Sequence, residues 1–180
     1  MIYLFLAEGF EELEAIAPAD CLRRAGLDLC LVGIGGRNVK SCRGIEIVCD
    51  YADSEVFSYQ DAEMIVLPGG MPGTLNLEKS ETVQSAVDFC VQSGKYIAAI
   101  CAAPSVLGRK GVLKGHKAVC YPGFEDQLQG AEITGESVCV SGKFITAKSA
   151  GAALEFGLEL VRIMCSKTKS ENIAGAMYVK

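Results

Sequence analysis

The chain is predicted to fold as a doubly wound α/β protein: a three-layer α/β/α sandwich around a mostly parallel sheet. Three observations carry this. Apolar runs of strand length recur at Ile2–Leu6, Leu29–Ile34, Met64–Leu67 and Tyr96–Ile100, with no polar residue inside them. Such runs belong to strands buried on both faces, as in a parallel sheet. Segments of helical periodicity separate them, and alternating strand and helix is the pattern of βαβ units. Finally, 180 residues, 50% of them hydrophobic, suffice for one sizeable core, so a single domain over residues 1–180 is expected.

The strand Ile2–Leu6 leads into a helix over about residues 11–25, where Leu13, Ile16, Ala19 and Cys21 or Leu22 fall on one 3.6-residue stripe. Gly26 supplies its stop and Pro18 predicts a kink. After the second strand, Ile45–Val48 is a short β-branched run of the kind added antiparallel to a sheet. Ser80-Glu81-Thr82-Val83 opens a helix through Val91 that Gly94 ends, and another follows Cys101 to about Arg109. Ala118–Cys120 is a short strand. Ser137–Val140 and Phe144–Thr146 form a hairpin about Ser141-Gly142-Lys143. Ala150–Met164 is a long amphipathic helix with Leu154, Leu158, Val161 and Cys165 inward, and Ser170–Met177 a short terminal one.

Charge and cysteine usage narrow the function classes. A formal charge of −5, with 17 basic residues mixed among 22 acidic ones, leaves no basic face for a nucleic-acid backbone. The apolar start Ile2–Ala7 is too short for a signal segment and runs into Glu8, Glu11, Glu12 and Glu14. No run approaches membrane-spanning length. Nine cysteines make an odd count without a secretory signal, which predicts free thiols in a reducing cytoplasm. No two stand at zinc-ligand spacing, and His116 has no cysteine or carboxylate beside it at such spacing, so no metal site is expected.

In an open α/β sheet the site lies beyond the carboxyl ends of the strands, and three such ends carry chemistry here. Tyr96–Ile100 runs straight into Cys101, followed by Ala102, Ala103 and Pro104: the layout of a nucleophile elbow, in which small residues permit a sharp turn before a helix. Helix N–H groups aimed at the sulfur favour thiolate. Pro68-Gly69-Gly70 follows another strand, and its flexible backbone lets amides face an anion, so that Gly70 and Ala102 form an oxyanion hole. Glu14, one turn from Glu11 after the first strand, points toward the same edge. A carboxyl beside a thiolate shares one proton with it, which raises the Glu14 pKa and predicts a protonated Glu14 acting as general acid or base beside a Cys101 thiolate. The glycines after Gly33 lack the further residues of a dinucleotide or phosphate loop and are read as a turn. His116, on a polar connection, is read as a surface residue.

These residues together resemble the DJ-1/PfpI superfamily, and within it the DJ-1/YajL/ThiJ branch. The resemblance rests on Ala7-Glu8-Gly9-Phe10-Glu11-Glu12-Leu13-Glu14, Arg23-Arg24-Ala25-Gly26, Val66-Leu67-Pro68-Gly69-Gly70, Ala98-Ala99-Ile100-Cys101-Ala102-Ala103-Pro104, and Ile145-Thr146-Ala147 through Phe156-Gly157. It implies a flavodoxin-like sheet of the class I glutamine amidotransferase type, Cys101 as nucleophile, Glu14 as its partner, and amides at Gly70 and Ala102 for the oxyanion, with Gly69 beside them. It also implies a homodimer, whose subunits bring the arginine matching Arg43 near the neighbouring site. Two departures bear on chemistry. Ala102 stands where proteolytic members carry a histidine, which removes a local protease dyad. Tyr121 stands where DJ-1 members carry a histidine near the site; a tyrosine hydrogen-bonds substrate but is a poor base near neutrality.

The resemblance implies a cofactor-free enzyme acting on small aldehydes or glycation adducts, of the glutathione-independent glyoxalase III or deglycase type. A second expectation is an oxidative-stress sensor or redox-regulated chaperone working through oxidation of Cys101. A thiamine-biosynthesis label borne by some relatives finds no support in these residues.

Overall fold

The computed structural model describes residues 1–56 and 58–179. Its strands are β1 (Ile2–Leu6), β2 (Leu29–Gly33), β3 (Asn38–Lys40), β4 (Glu46–Val48), β5 (Tyr51–Ala52), β6 (Met64–Leu67), β7 (Tyr96–Ile100), β8 (Lys117–Ala118), β9 (Glu132–Ile133), β10 (Val138–Ser141) and β11 (Phe144–Ala147). Its α-helices are α1 (Glu12–Arg24), α2 (Gly73–Lys79), α3 (Glu81–Ser93), α4 (Pro104–Arg109), α5 (Ala153–Met164) and α6 (Lys167–Ala176). The central sheet runs β10-β11-β7-β6-β1-β2-β5. Every pairing in it is parallel except β10 with β11. The chain winds outward from β1 to β2, then returns to place β6 on the other side of β1. The order therefore reverses between β1 and β6, where α/β proteins open a crevice for ligands.

The alternation of side chains along β1 accounts for the layers. Ile2, Leu4 and Leu6 enter one core with Met64, Val66, Ala98, Ile100 and the inner faces of α1 and α5. Tyr3 and Phe5 enter a second core with Ile65, Leu67, Ile97, Ala99 and α3. Because each strand is covered on both faces, unbroken apolar runs form it. Ser80 caps α3 by accepting from the Val83 N–H, and Gly94 ends it at φ +64°, as the capping residues predict.

Several elements depart from the sequence reading. In α1 the buried residues are Glu14, Ala15, Pro18, Ala19, Cys21 and Leu22, whereas Leu13 is 59% exposed and Ile16 also faces outward. The stripe is turned because small residues let α1 lie close on α5: a side chain at Gly157 would run into Pro18 and Cys21. Pro18 lies within the continuous helix Glu12–Arg24. The same rotation appears in α5, where Phe156, Gly157, Leu160 and Val161 are buried and Cys165 is exposed at the C-terminal cap. Residues 45–48 do not extend the central sheet; β4 pairs with β3 in a separate antiparallel hairpin. The strand expected at 118–120 is only Lys117–Ala118, paired with β9. Helix α2 follows the glycine loop directly and is too short for its periodicity to stand out.

Candidate active site

Three chain segments converge at the carboxyl edge of the sheet: the loop from β1 into α1, the loop after β6, and the turn after β7. They enclose a cleft of about 470 Å³ lined by Glu14, Gly70, Cys101 and Ala102 together with Glu11, Arg43 and Tyr121 among others. It lies beside the reversal of strand order.

Cys101 directly follows β7 at φ +66°, a conformation rare for a residue with a side chain. The turn is held from both sides: the Cys101 N–H donates to the Ala147 carbonyl at 2.9 Å, and the Tyr121 N–H donates to the Cys101 carbonyl at 2.7 Å. Ala102 and Ala103 are buried beneath the elbow. The Ala102 and Gly70 N–H groups face the sulfur and favour its anion. Gly70 itself sits at φ +92°, and a side chain there would strike the backbone of Gly9, Phe10 and Glu11.

Glu14 comes from the first turn of α1 and is 1% exposed. Glu11 aims it, because as N-cap its carboxylate accepts the Glu14 N–H at 2.8 Å. The Glu14 carboxyl accepts the Gly69 N–H at 2.9 Å and the Ala150 N–H, and it hydrogen-bonds with the Cys101 side chain. Gly69 has to be glycine for this approach. A Cβ there would lie 2.6 Å from Glu14 Oε2 and 2.8 Å from Cys101 Cβ.

Burial pushes the Glu14 carboxyl up from 4.5 to about 7, against the hydrogen bonds that favour its ionised form. Burial and the neighbouring Glu14 push the Cys101 thiol upward as well, with the two amides opposing. The rise at Glu14 is the predicted direction; the rise at Cys101 corrects the expectation of a thiol depressed by the helix end. The physical reason is that two like charges cannot share this small dry space. The pair holds one proton above about pH 7, and the sulfur is anionic only while Glu14 carries that proton.

The structure thus brings together Cys101, Glu14, Gly69, Gly70 and Ala102, with Tyr121 exposed at the rim. Arg43 lines the cleft of its own chain, held there through its N–H to Glu12 Oε1 at 3.0 Å. His116 lies at the opposite end of the sheet, half-buried, with Nδ1 3.2 Å from Ser141 Oγ and its ring edge-on to Phe144. It is therefore a packed residue of the far edge and forms no dyad with Cys101. Sequence reasoning misses the Ala150 N–H, Cys42, Met71 and Phe124, all at the cleft. The Ala150 loop follows β11, so reading every strand end by the carboxyl-edge rule finds it. The other three sit in irregular loops where periodicity gives no signal.

A family model, DJ-1/PfpI family, matches residues 1–163. Protein dj-1beta of Drosophila melanogaster is 35% identical over 179 residues, covering 98% of this chain and 95% of that protein. A Caenorhabditis elegans protein, glutathione-independent glyoxalase DJR-1.2, is 31% identical over 174 residues, covering 96% and 92%. The solved structure of Toxoplasma gondii DJ-1, oxidized, superposes with a TM-score of 0.94 at 34% identity, covering 98% and 97%.

Proposed function

The chain belongs to the DJ-1/PfpI family, and from that premise we propose that it is a cofactor-free cysteine enzyme converting 2-oxoaldehydes, or the glycation adducts they form, to 2-hydroxy acids. One observation carries the reading: a cysteine fixed at φ +66° shares a proton with a buried carboxyl while two amides face its sulfur. That arrangement supplies nucleophile, acid–base group and oxyanion site in one cleft. The relative named a glutathione-independent glyoxalase supports the same class.

The chemistry follows from the shared proton. The Cys101 thiolate adds to the aldehyde carbon, and the resulting alkoxide takes a proton, giving a hemithioacetal. Gly70 and Ala102 amides stabilise the oxyanion as it forms. Glu14, now ionised, removes the proton from that carbon and returns it to the neighbouring carbonyl carbon, while the hydroxyl proton passes from the first oxygen to the former ketone oxygen, so the hemithioacetal becomes the thioester of a 2-hydroxy acid. Water hydrolyses the thioester, releasing the hydroxy acid and the thiol. Aldehyde is oxidised and ketone reduced within one molecule, so no outside oxidant enters. The test is conversion of methylglyoxal to lactate without glutathione, by the wild type and by Cys101→Ser. Turnover lost in the variant supports the reading, and turnover retained overturns it.

A second reading, an oxidation sensor, is favoured by the same two amides, which would hold a sulfinate on Cys101, and by the relative described as oxidized. It requires Cys101 to be oxidised before the other eight cysteines under limiting peroxide. We also propose that the protein acts as a cytoplasmic homodimer; exposed Leu13 and Ile16 on α1, and Ile45 and Val48 by the β3–β4 hairpin, support a buried partner face. No described helix is long and apolar enough to cross a membrane.

A further inference from the structure

We infer that the cleft is shaped for a 2-oxoaldehyde bearing an aromatic substituent, with Tyr121 and Phe124 forming the wall that receives the ring; this rests on the aldehyde reading above. The first ground is size. A cleft of about 470 Å³ falls in the range, roughly 300–1,000 Å³, that holds drug-sized ligands. The reaction itself occupies only two adjacent carbons at the sulfur, and a methyl substituent leaves most of that space to water.

The second ground is how the lining divides. Glu11, Glu14 and Arg43 supply its charged part, and Met71, Tyr121 and Phe124 its apolar part. Met71 is 48% exposed and Tyr121 47% exposed, large apolar surface left open beside the nucleophile. The two rings stand 6.4 Å apart at 78°, edge to face, a preferred aromatic geometry that a third ring can extend. Their anchoring is firm. Phe124 packs on the second core, and the Tyr121 backbone is tied to the Cys101 carbonyl at 2.7 Å, so the wall keeps a fixed distance from the sulfur.

The third ground is the residue itself. Tyr121 stands half-exposed in the lining of the cleft that holds Cys101, where its ring presents a flat apolar face. An apolar pocket discriminates one methylene by roughly 10–200-fold, so a ring against a methyl group gives a preference of at least about tenfold.

The experiment measures kcat/KM for phenylglyoxal, as mandelate formed, and for methylglyoxal, as lactate formed, without glutathione. The expected result is a phenylglyoxal preference of about tenfold or more in the wild type. It should fall toward unity in Phe124→Leu and Tyr121→Leu, which keep apolar bulk for folding, and persist in Tyr121→Phe, which keeps the ring. Methylglyoxal turnover with no aryl preference overturns the inference and leaves the aldehyde reading standing. A preference that survives both leucine variants overturns the wall assignment. Turnover of neither aldehyde overturns the aldehyde reading, and the inference with it.

Discussion

The two ends of β7 carry cavities of similar size and different chemistry. At its carboxyl end Cys101 and Glu14 line about 470 Å³; at its amino end Cys90 and His116 line about 390 Å³. Judged by residue type alone, the amino-end cavity has the stronger claim to catalysis, since it holds a thiol and the chain's only imidazole. Yet Cys90 sits inside α3, fully buried, and burial pushes its thiol to about 12 with only Lys95 favouring the anion. His116 meets Ser141 and Phe144. Cys101 instead occupies a left-handed turn that frees two amides toward its sulfur, beside a carboxyl able to take its proton. On the proposed reading it is this backbone geometry, and not side-chain identity alone, that suits Cys101 to act as nucleophile.

The largest expected effect separates the two cysteines. Cys101→Ser should lower methylglyoxal turnover by about 10³-fold or more, because the covalent step loses its nucleophile. Cys90→Ala should leave turnover within about twofold while lowering stability by roughly 1 kcal/mol for the small cavity left. Equal losses in both would mean that the difference between the two ends is one of folding and not of chemistry. Glu14→Gln comes next: loss of general acid–base work costs about 10²–10⁴-fold, with the fold intact by circular dichroism.

Two glycines extend the comparison to the backbone. Gly69→Ala forces a methyl group against Glu14 Oε2 and Cys101 Cβ, displacing the pair, and a misplacement of about 1 Å costs on the order of 10²-fold in rate. Gly142→Ala, at the other end, would place its Cβ 3.4 Å from His116 Cε1 at φ +61°. It should cost roughly 1 kcal/mol of backbone strain with no change in turnover, measured by thermal unfolding beside steady-state rates.

Much of this contrast is legible in the sequence, for physical reasons. A strand buried on both faces has to be apolar throughout, so β1, β2, β6 and β7 stand out, and the carboxyl-edge rule then points to Glu14, Gly69, Gly70 and Cys101. What escapes is rotation. The stripe through Leu13 and Ile16 fits a helix equally well, and only the close seat of α1 at Gly157 turns Pro18 and Cys21 inward. The direction of the Cys101 shift escapes as well, because amides and dipole favour the thiolate locally while burial and Glu14 act only once the fold has closed around the pair. Phe124 joins the cleft through an irregular loop, which carries no periodicity to read.

The proton pair gives a smaller, graded effect. Glu14 rises from 4.5 to about 7, so kcat/KM should climb through about pH 7 to a plateau, falling about tenfold per unit below it; the ascending limb should vanish in Glu14→Gln. The stability consequence has a fixed sign. Between pH 4.5 and about 7 the folded protein binds a proton that the unfolded chain has released, so the contribution is full below 4.5 and lost as pH rises through about 7. Glu14→Gln should therefore stabilise the protein more at pH 8 than at pH 5, by on the order of 3 kcal/mol at most, as denaturant titration at the two pH values reads directly.

The smallest expected effect is at His116, and it tests the comparison most sharply. Near the start of β7 Ile97 pairs with Phe144, and at its end Ile100 pairs with Ala147, so the imidazole that packs on Phe144 is nearly a strand's length from Cys101. Were proton transfer in this protein to need an imidazole, His116 is the only one available. His116→Gln keeps polar contact with Ser141 and should leave both the rate and its ascending limb within about twofold of wild type. A tenfold loss would show that the far edge communicates with the elbow through β7, and the division of labour between the two ends would have to be given up.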